Sequence, residues 1–180
     1  MATTPTKLMT FAEFEQMPDD PRGWHYELRH GEPFLMSPPR HDHKLTQRHI
    51  YHSFYAVAGD FWVADMESGF RPIPDHEYWE ADVAVISRER WDGIPGEGNL
   101  QGPPELVVEV ISPSNTLVEI SRKKKLCLEN GAREFWVVDK KKRKIEVSTA
   151  DGRTVTYTSG QHIPLFFAPG AVISVDEIFA

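Results

Sequence analysis

The sequence predicts a mixed α/β fold, with a β-sheet of parallel and antiparallel strands flanked by helices. Three features predict it. Leu106-Val107-Val108-Glu109-Val110-Ile111 is an almost unbroken aliphatic run, the pattern of a strand covered on both faces. A helical stretch follows, and residues 133–138 read as another strand; strand, helix and strand across 106–138 make a crossover unit, whose two strands run parallel and right-handed. The remaining strands are short and separated by turn residues, which favours antiparallel pairing.

In chain order, Thr10 with Glu13 three residues later, beside Phe11 and Phe14, is a capping-box pattern for a short helix ending before Pro18. Residues 25–30 and 34–36 flank Gly31 and predict a hairpin. After Ser37-Pro38-Pro39, residues 43–57 have helical periodicity, with Leu45, Ile50, Phe54 and Val57 as the apolar stripe. Residues 61–66, 70–73 and 81–86 read as three strands, followed by a proline- and glycine-rich connection over 93–104. Pro113 ends the central strand, Ser114 or Asn115 can cap the next helix, and Gly131 supplies its stop after Asn130. Residues 144–148, 153–158 and 172–175, with a turn at Asp151-Gly152, complete the antiparallel part.

The length of 180 residues suits one domain over 1–180, with a core that needs no disulfide or structural metal. A composition 40% hydrophobic and 26% charged excludes disorder as the default. The one cysteine, Cys127, excludes an internal disulfide and a thiolate zinc cluster and fits a reducing cytoplasm; it falls on an apolar helical stripe and reads as a packed core thiol. No stretch approaches the roughly 18 apolar residues of a membrane span, so neither an anchor nor export is expected. A net charge of −7 argues against a wholly basic nucleic-acid coat, yet positive charge gathers at residues 122–125 and 140–144, so a polyanion should meet the C-terminal half. The 140–144 cluster itself reads as a solvated hairpin tip.

Two acids stand where burial penalises them. Glu109 interrupts the central aliphatic run, and Asp82 interrupts Ala81-Asp82-Val83-Ala84-Val85-Ile86; each costs several kcal/mol unless paired or bound to a cation. On neighbouring strands their carboxylates converge, and oxygen ligands of this kind suit Mg²⁺ or Mn²⁺. The helix after Glu109 offers a cation from its Arg122 to Lys125 run: with Leu117, Ile120, Cys127 and Leu128 as buried stripe, Lys124 falls inside it, Lys123 on its flank and Lys125 outside. Either Lys123 or Lys124 is therefore the candidate. His41 and His43 read as capping or surface chemistry, and Trp136 as core packing.

These residues resemble the PD-(D/E)xK nuclease superfamily and, within it, a widespread bacterial restriction endonuclease-like family. The anchors are Tyr26-Glu27-Leu28-Arg29-His30-Gly31-Glu32, Met36-Ser37-Pro38-Pro39 with His43, Ala81-Asp82-Val83-Ala84-Val85, Gly102 to Ser114 with Glu109, Lys123, Gly131, Glu134 to Asp139, Pro169-Gly170 and Ile178-Phe179. The resemblance implies a restriction-endonuclease-like core and a Mg²⁺- or Mn²⁺-dependent endonuclease acting on nucleic acid, DNA before RNA. It implies Asp82 and Glu109 as metal ligands, Glu27 as a further carboxylate ligand or base, and Lys123 as the catalytic lysine. The superfamily's lysine position, two residues after the acid, is Ile111 here, and the lysine moves to the following helix. Ala81, Glu119 and Cys127 stand where the family has proline, aspartate and an aromatic residue. Two rival readings are a non-catalytic nucleic-acid or protein binding module, and a structural homodimer built through exposed sheet and C-terminal strands.

Overall fold

The computed structural model describes residues 7–112 and 116–180; Pro113, the expected strand stop, and Ser114 and Asn115, the expected caps, lie outside them. Helix α1 (Phe11–Phe14) starts at the Thr10–Glu13 capping box, both halves of which form. Strands β1 (His25–Arg29) and β2 (Glu32–Met36) make the expected hairpin. His30 and Gly31 turn it with φ of 53° and 71°, the two successive positive values of a type I′ turn. Gly31 is required twice over, since a Cβ there would lie 2.6 Å from Leu8 Cβ and 3.0 Å from the Met9 nitrogen.

Helix α2 (His41–Tyr55) buries Ile50 and Phe54, but Leu45 and Val57 of the expected stripe are exposed, and His43, Thr46 and Gln47 are buried instead. Its first two turns cover a cavity rather than the core. Strand β3 (Trp62–Arg71) is continuous where two strands were expected, and β4 (Glu77–Ser87) extends beyond 81–86. Glu67, with φ 52°, marks the break that the sequence pattern showed; the β3–β4 ladder pairs Met66 with Val83 and Ser68 with Ala81, which sets Glu67 opposite Asp82. Face alternation slips there. Trp79 and Ala81 pack on one side of the sheet, yet Val83 and Val85, an even number of residues on, pack on the other.

The short α3 (Arg88–Asp92) and β5 (Leu100–Gln101) follow, then β6 (Leu106–Val110), α4 (Leu117–Glu129) and β7 (Glu134–Asp139). β6 and β7 are parallel, as the crossover requires. Thr116, not Ser114 or Asn115, caps α4, through a capping box with Glu119. The α4 stripe is Ile120, Lys123 and Cys127, whereas Leu117 is 82% exposed, so the helix presents Lys123 inward and Lys124 falls outside the stripe. Strands β8 (Lys144–Thr149), β9 (Thr154–Tyr157), β10 (His162–Pro164) and β11 (Val172–Ser174) pair antiparallel as β7–β8–β9 and β10–β11, and α5 (Val175–Ile178) follows.

The large sheet runs β2-β1-β4-β6-β7-β8-β9, with β3 on β4 and β5 on β3. One core, around Phe54, Val85, Val108, Trp136 and Ile173, lies under α2 and the C-terminal elements; Trp136 meets Phe54 edge to face at 5.4 Å. The other, around Trp79, Ala84, Phe135 and Cys127, lies under α4, and burial pushes the Cys127 thiol up out of reactive range. On the edge of β4 away from β3, β1 pairs only at Tyr78 and Glu77, and β6 pairs only from Val83 onward. Between those ladders β4 has no backbone partner, and the sheet forks.

Gly31→Ala should destabilise the fold by about 1–3 kcal/mol through strain and contact, more than Gly152→Ala, where a positive φ meets open space. Urea unfolding midpoints of the two variants against the parent check this; equal shifts would show that the approach of Leu8 is not tight.

Candidate active site

The fork in the sheet is filled by charged side chains that take the place of backbone partners. The Glu80 amide donates to Glu27 Oε1 at 3.0 Å, and Lys123 Nζ donates to the Glu80 carbonyl at 2.6 Å. A carboxylate from β1 and an ammonium from α4 thereby close the gap between ladders, as buried backbone polar groups require. Lys123, 4% exposed, also donates to Glu109 Oε1 at 2.6 Å and lies 3.8 Å from Glu27 Oε1. Its Nζ sits 5.3 Å from the Trp79 ring centre, a cation–π contact in a dry setting.

Two further links fix α4 over the fork. Arg29 donates to Glu27 Oε2 through Nε and Nη2, at 2.8 and 2.6 Å, and through Nη1 to Glu119 Oε1 at 2.7 Å. Glu119 is the residue that caps the helix start, so one arginine joins β1 to the first turn of α4. Arg122 donates to Glu77 Oε1 at 2.6 Å, and Glu77 Oε2 accepts from Trp79 Nε1.

Asp82 lies one step beyond the Val83–Val108 pair, which brings it opposite Glu109 across β4 and β6. Its carboxylate is held from both strands and from α2. Oδ1 is 3.0 Å from His43 Nε2 and accepts from Gln47 Nε2 at 2.9 Å; Oδ2 accepts from the Val110 amide at 2.6 Å. Because a carboxylate only accepts, His43 carries a proton on Nε2. Its buried Nδ1 has no hydrogen-bond partner among the described residues.

The four residues singled out in the sequence, Glu27, Asp82, Glu109 and Lys123, thus line one cavity of about 420 Å³. Lys124 faces a different, smaller hollow. His43 and Gln47, which no apolar periodicity flags, complete the support of Asp82; besides the place of His43 in the family motif, the signal in the sequence is their spacing of four residues, in register with Ile50 and Phe54 on the same helix face. His41 is exposed at the helix start. Glu80, also unflagged, lines the cavity with its side chain 3.6 Å from His25.

Burial raises the Glu109 carboxyl to about 8; Lys123 opposes the shift and the Asp82 charge adds to it. Burial and the Glu27 charge raise Glu80 to about 8 as well. Burial alone would lower Lys123, but the carboxylates of Glu109 and Glu27 hold its ammonium above the ordinary lysine range. No group of three or more His, Cys, Asp or Glu side chains disposed to hold an ion is found among the described residues. Asp82 and Glu109 side by side nevertheless match a hard divalent ion, which takes one or two carboxylates and completes its shell with water or substrate oxygens. Both Glu27 oxygens accept hydrogen bonds, from Arg29 and from the Glu80 amide.

A family model described as "Putative restriction endonuclease", that of the Uma2 family, matches residues 11–179. Among solved structures, the chain is similar to one described as a putative nuclease belonging to DUF820 from Anabaena variabilis, with a TM-score of 0.80 over 95% of this chain and 97% of that one. Sequence identity there is 18%, so the likeness shows the fold. No curated protein matches the chain.

Two predictions come from this geometry. Lys123→Met leaves Glu109 buried without its cation, while Glu27 keeps Arg29, and should cost about 3–5 kcal/mol; adding Glu109→Gln should recover a large part, measured by urea unfolding in chelator, and a double variant no better than the single would refute the coupling. Glu109 and Glu80 bind protons more tightly folded, near 8, than unfolded, near the ordinary glutamate value of 4.5. Stability without divalent ions should therefore fall as pH rises from about 4.5 to about 8. Melting temperatures across that window check it, and Glu80→Gln with Glu109→Gln should flatten the slope.

Proposed function

The chain belongs to the Uma2 family, and from that premise we propose that it is a Mg²⁺- or Mn²⁺-dependent endonuclease hydrolysing phosphodiester bonds of nucleic acid, DNA before RNA. The observation that carries this reading is the meeting of Asp82, Glu109 and Lys123 at the fork of the sheet, two carboxylates and an ammonium in one cavity.

Asp82 and Glu109 are the residues that would hold the ion. Bound there, it would supply a Lewis acid that lowers the pKa of a water and offsets charge on the phosphate. The chain's own part is positional and electrostatic. His43, Gln47 and the Val110 amide fix Asp82, so the ligand is oriented before any ion arrives. Lys123 stays protonated between its acids, and with two of its three N–H groups given to Glu80 and Glu109 it has one left to donate to a phosphoryl oxygen as negative charge builds in the transition state. Glu27 holds Lys123 and the β4 backbone in place, and the lone pair left on its Oε1 suits it as an auxiliary ligand or base.

One observation favours the non-catalytic module instead: the 2.6 Å contact between Lys123 and Glu109 occupies an oxygen that an ion would use. Titration calorimetry with Mn²⁺ separates the two, since the enzyme binds the ion through Asp82 and Glu109 and the module does not.

Plasmid and oligonucleotide DNA should be cut in Mg²⁺ or Mn²⁺, and Asp82→Ala, Glu109→Ala and Lys123→Ala should each lower the rate by about 100-fold or more. Identical traces from the parent and the three variants would remove the hydrolase reading.

A further inference from the structure

The cavity divides its cations into two kinds. Arg29 and Lys123 are consumed by Glu27, Glu119 and Glu109. The side chains of Arg40 and Lys141, which also line it, have no charged or hydrogen-bonding partner among the described residues, and both residues are exposed. They come from distant parts of the chain, the start of α2 and the turn between β7 and β8. An ion pair joins those parts, Lys140 Nζ to Asp42 Oδ2 at 2.6 Å. Arg40 precedes Asp42 by two residues and Lys141 follows Lys140, so the bridge gathers three cations along one wall of the cavity mouth.

That arrangement works against the stability of the free protein. Arg40 is the N-cap of α2 and its side chain makes no capping hydrogen bond, where an acceptor would satisfy the helix amides. Cations beside the positive end of a helix add repulsion, and Asp42 alone offsets them. The lining also carries Glu67 and Glu80, on β3 and β4 rather than on α2 or the β7–β8 turn, so its acidic and basic parts come from different elements. A bound anion relieves the repulsion on the basic side, and an extended polyanion is guided along it and away from the acidic side.

We propose that Arg40, Lys140 and Lys141 form a phosphate-tracking rim that seats the phosphodiester backbone of a nucleic acid strand beside the Asp82–Glu109 pair. The partner rests on the nuclease reading above, but the rim's contacts are with phosphate and need neither an ion nor cleavage. It reads backbone charge, so it fits strands of any sequence.

The test is fluorescence anisotropy in EDTA with labelled 30-nucleotide DNA duplex, DNA single strand and RNA of the same sequence, over a range of KCl. Arg40→Ala with Lys141→Ala removes two contacts and leaves the Lys140–Asp42 bridge intact. Lys125→Ala with Arg153→Ala, on residues that do not line the cavity, removes equal charge. The rim variant should bind about tenfold more weakly and its log–log salt slope should fall by about 1.8 on duplex or about 1.4 on single strands, while the control keeps the parent slope. The three probes show which polymer the rim takes. A rim variant with the parent's affinity and slope, a control that loses as much, or a parent with no salt-dependent binding overturns the proposal. Binding with the expected slopes by a protein that never cuts in Mg²⁺ or Mn²⁺ keeps the rim and removes the hydrolase; normal cutting by a rim variant whose affinity and slope are unchanged does the reverse.

Discussion

The structure depends on one buried ammonium. Lys123 enters the fork of the sheet on a helix whose neighbouring inward positions are Ile120 and Cys127, and it is stabilised there only because Glu109, Glu27 and the Glu80 carbonyl surround it. Taking such a charge out of water costs several kcal/mol, which the contacts must offset before any stability remains. The same contacts explain the irregular sheet. β1 and β6 each leave β4 early, and the unpaired stretch between them is tolerated because Glu27 and Lys123 satisfy the Glu80 backbone. A hydrophobic residue at 123 would satisfy none of these groups. Arg29 and Arg122 then act as fasteners, tying α4 to β1 and β4 so that the lysine cannot withdraw.

What the sequence disclosed was the part whose physics is local. An aliphatic run broken by one glutamate announces a covered strand and a charge needing a partner, and both readings of Glu109 agree with its place on β6. The crossover was legible because β6, α4 and β7 are adjacent in the chain and parallel pairing needs such a connection. The hairpin at Gly31 was legible because the type I′ turn demands glycine there.

The remainder hinged on phase or on distant partners. Placing Leu117 in the α4 stripe made Lys124 equal to Lys123, and only the solvent-facing first turn of the helix, set by the Thr116 cap, decides between them. The break between residues 66 and 70 looked like two strands because a non-glycine residue, Glu67, adopts positive φ inside one strand, which no residue preference anticipates. His43 resembled a capping residue because its importance lies in Asp82, 39 positions away in the chain. Glu27 was marked by the family motif alone; by its local pattern an acid in a short edge hairpin reads as solvent-facing until β1 is laid against β4.

The slip at Glu67 and Asp82 ties fold to chemistry. With regular alternation Asp82 would commit to one face of the sheet, and either α2 or α4 would be out of reach. Because both strands change face at that level, Asp82 is held by His43 and Gln47 from the α2 side and by the Val110 amide on the strand that carries Glu109, whose own partner comes from α4. The two layers of the molecule therefore meet at one pair of carboxylates. Those carboxylates also decide what a phosphate meets at the cavity. Glu27, Glu67, Glu80, Asp82 and Glu109 line it, with Glu119 at its edge, and the inward cations are already paired. A phosphate brought against Asp82 and Glu109 alone is repelled, and the low-dielectric surroundings strengthen that repulsion. Positive charge between the acids and the scissile phosphate lets the two approach, so the phosphoryl chemistry proposed at this fork calls for a cation there, whereas the rim seats the flanking backbone without one.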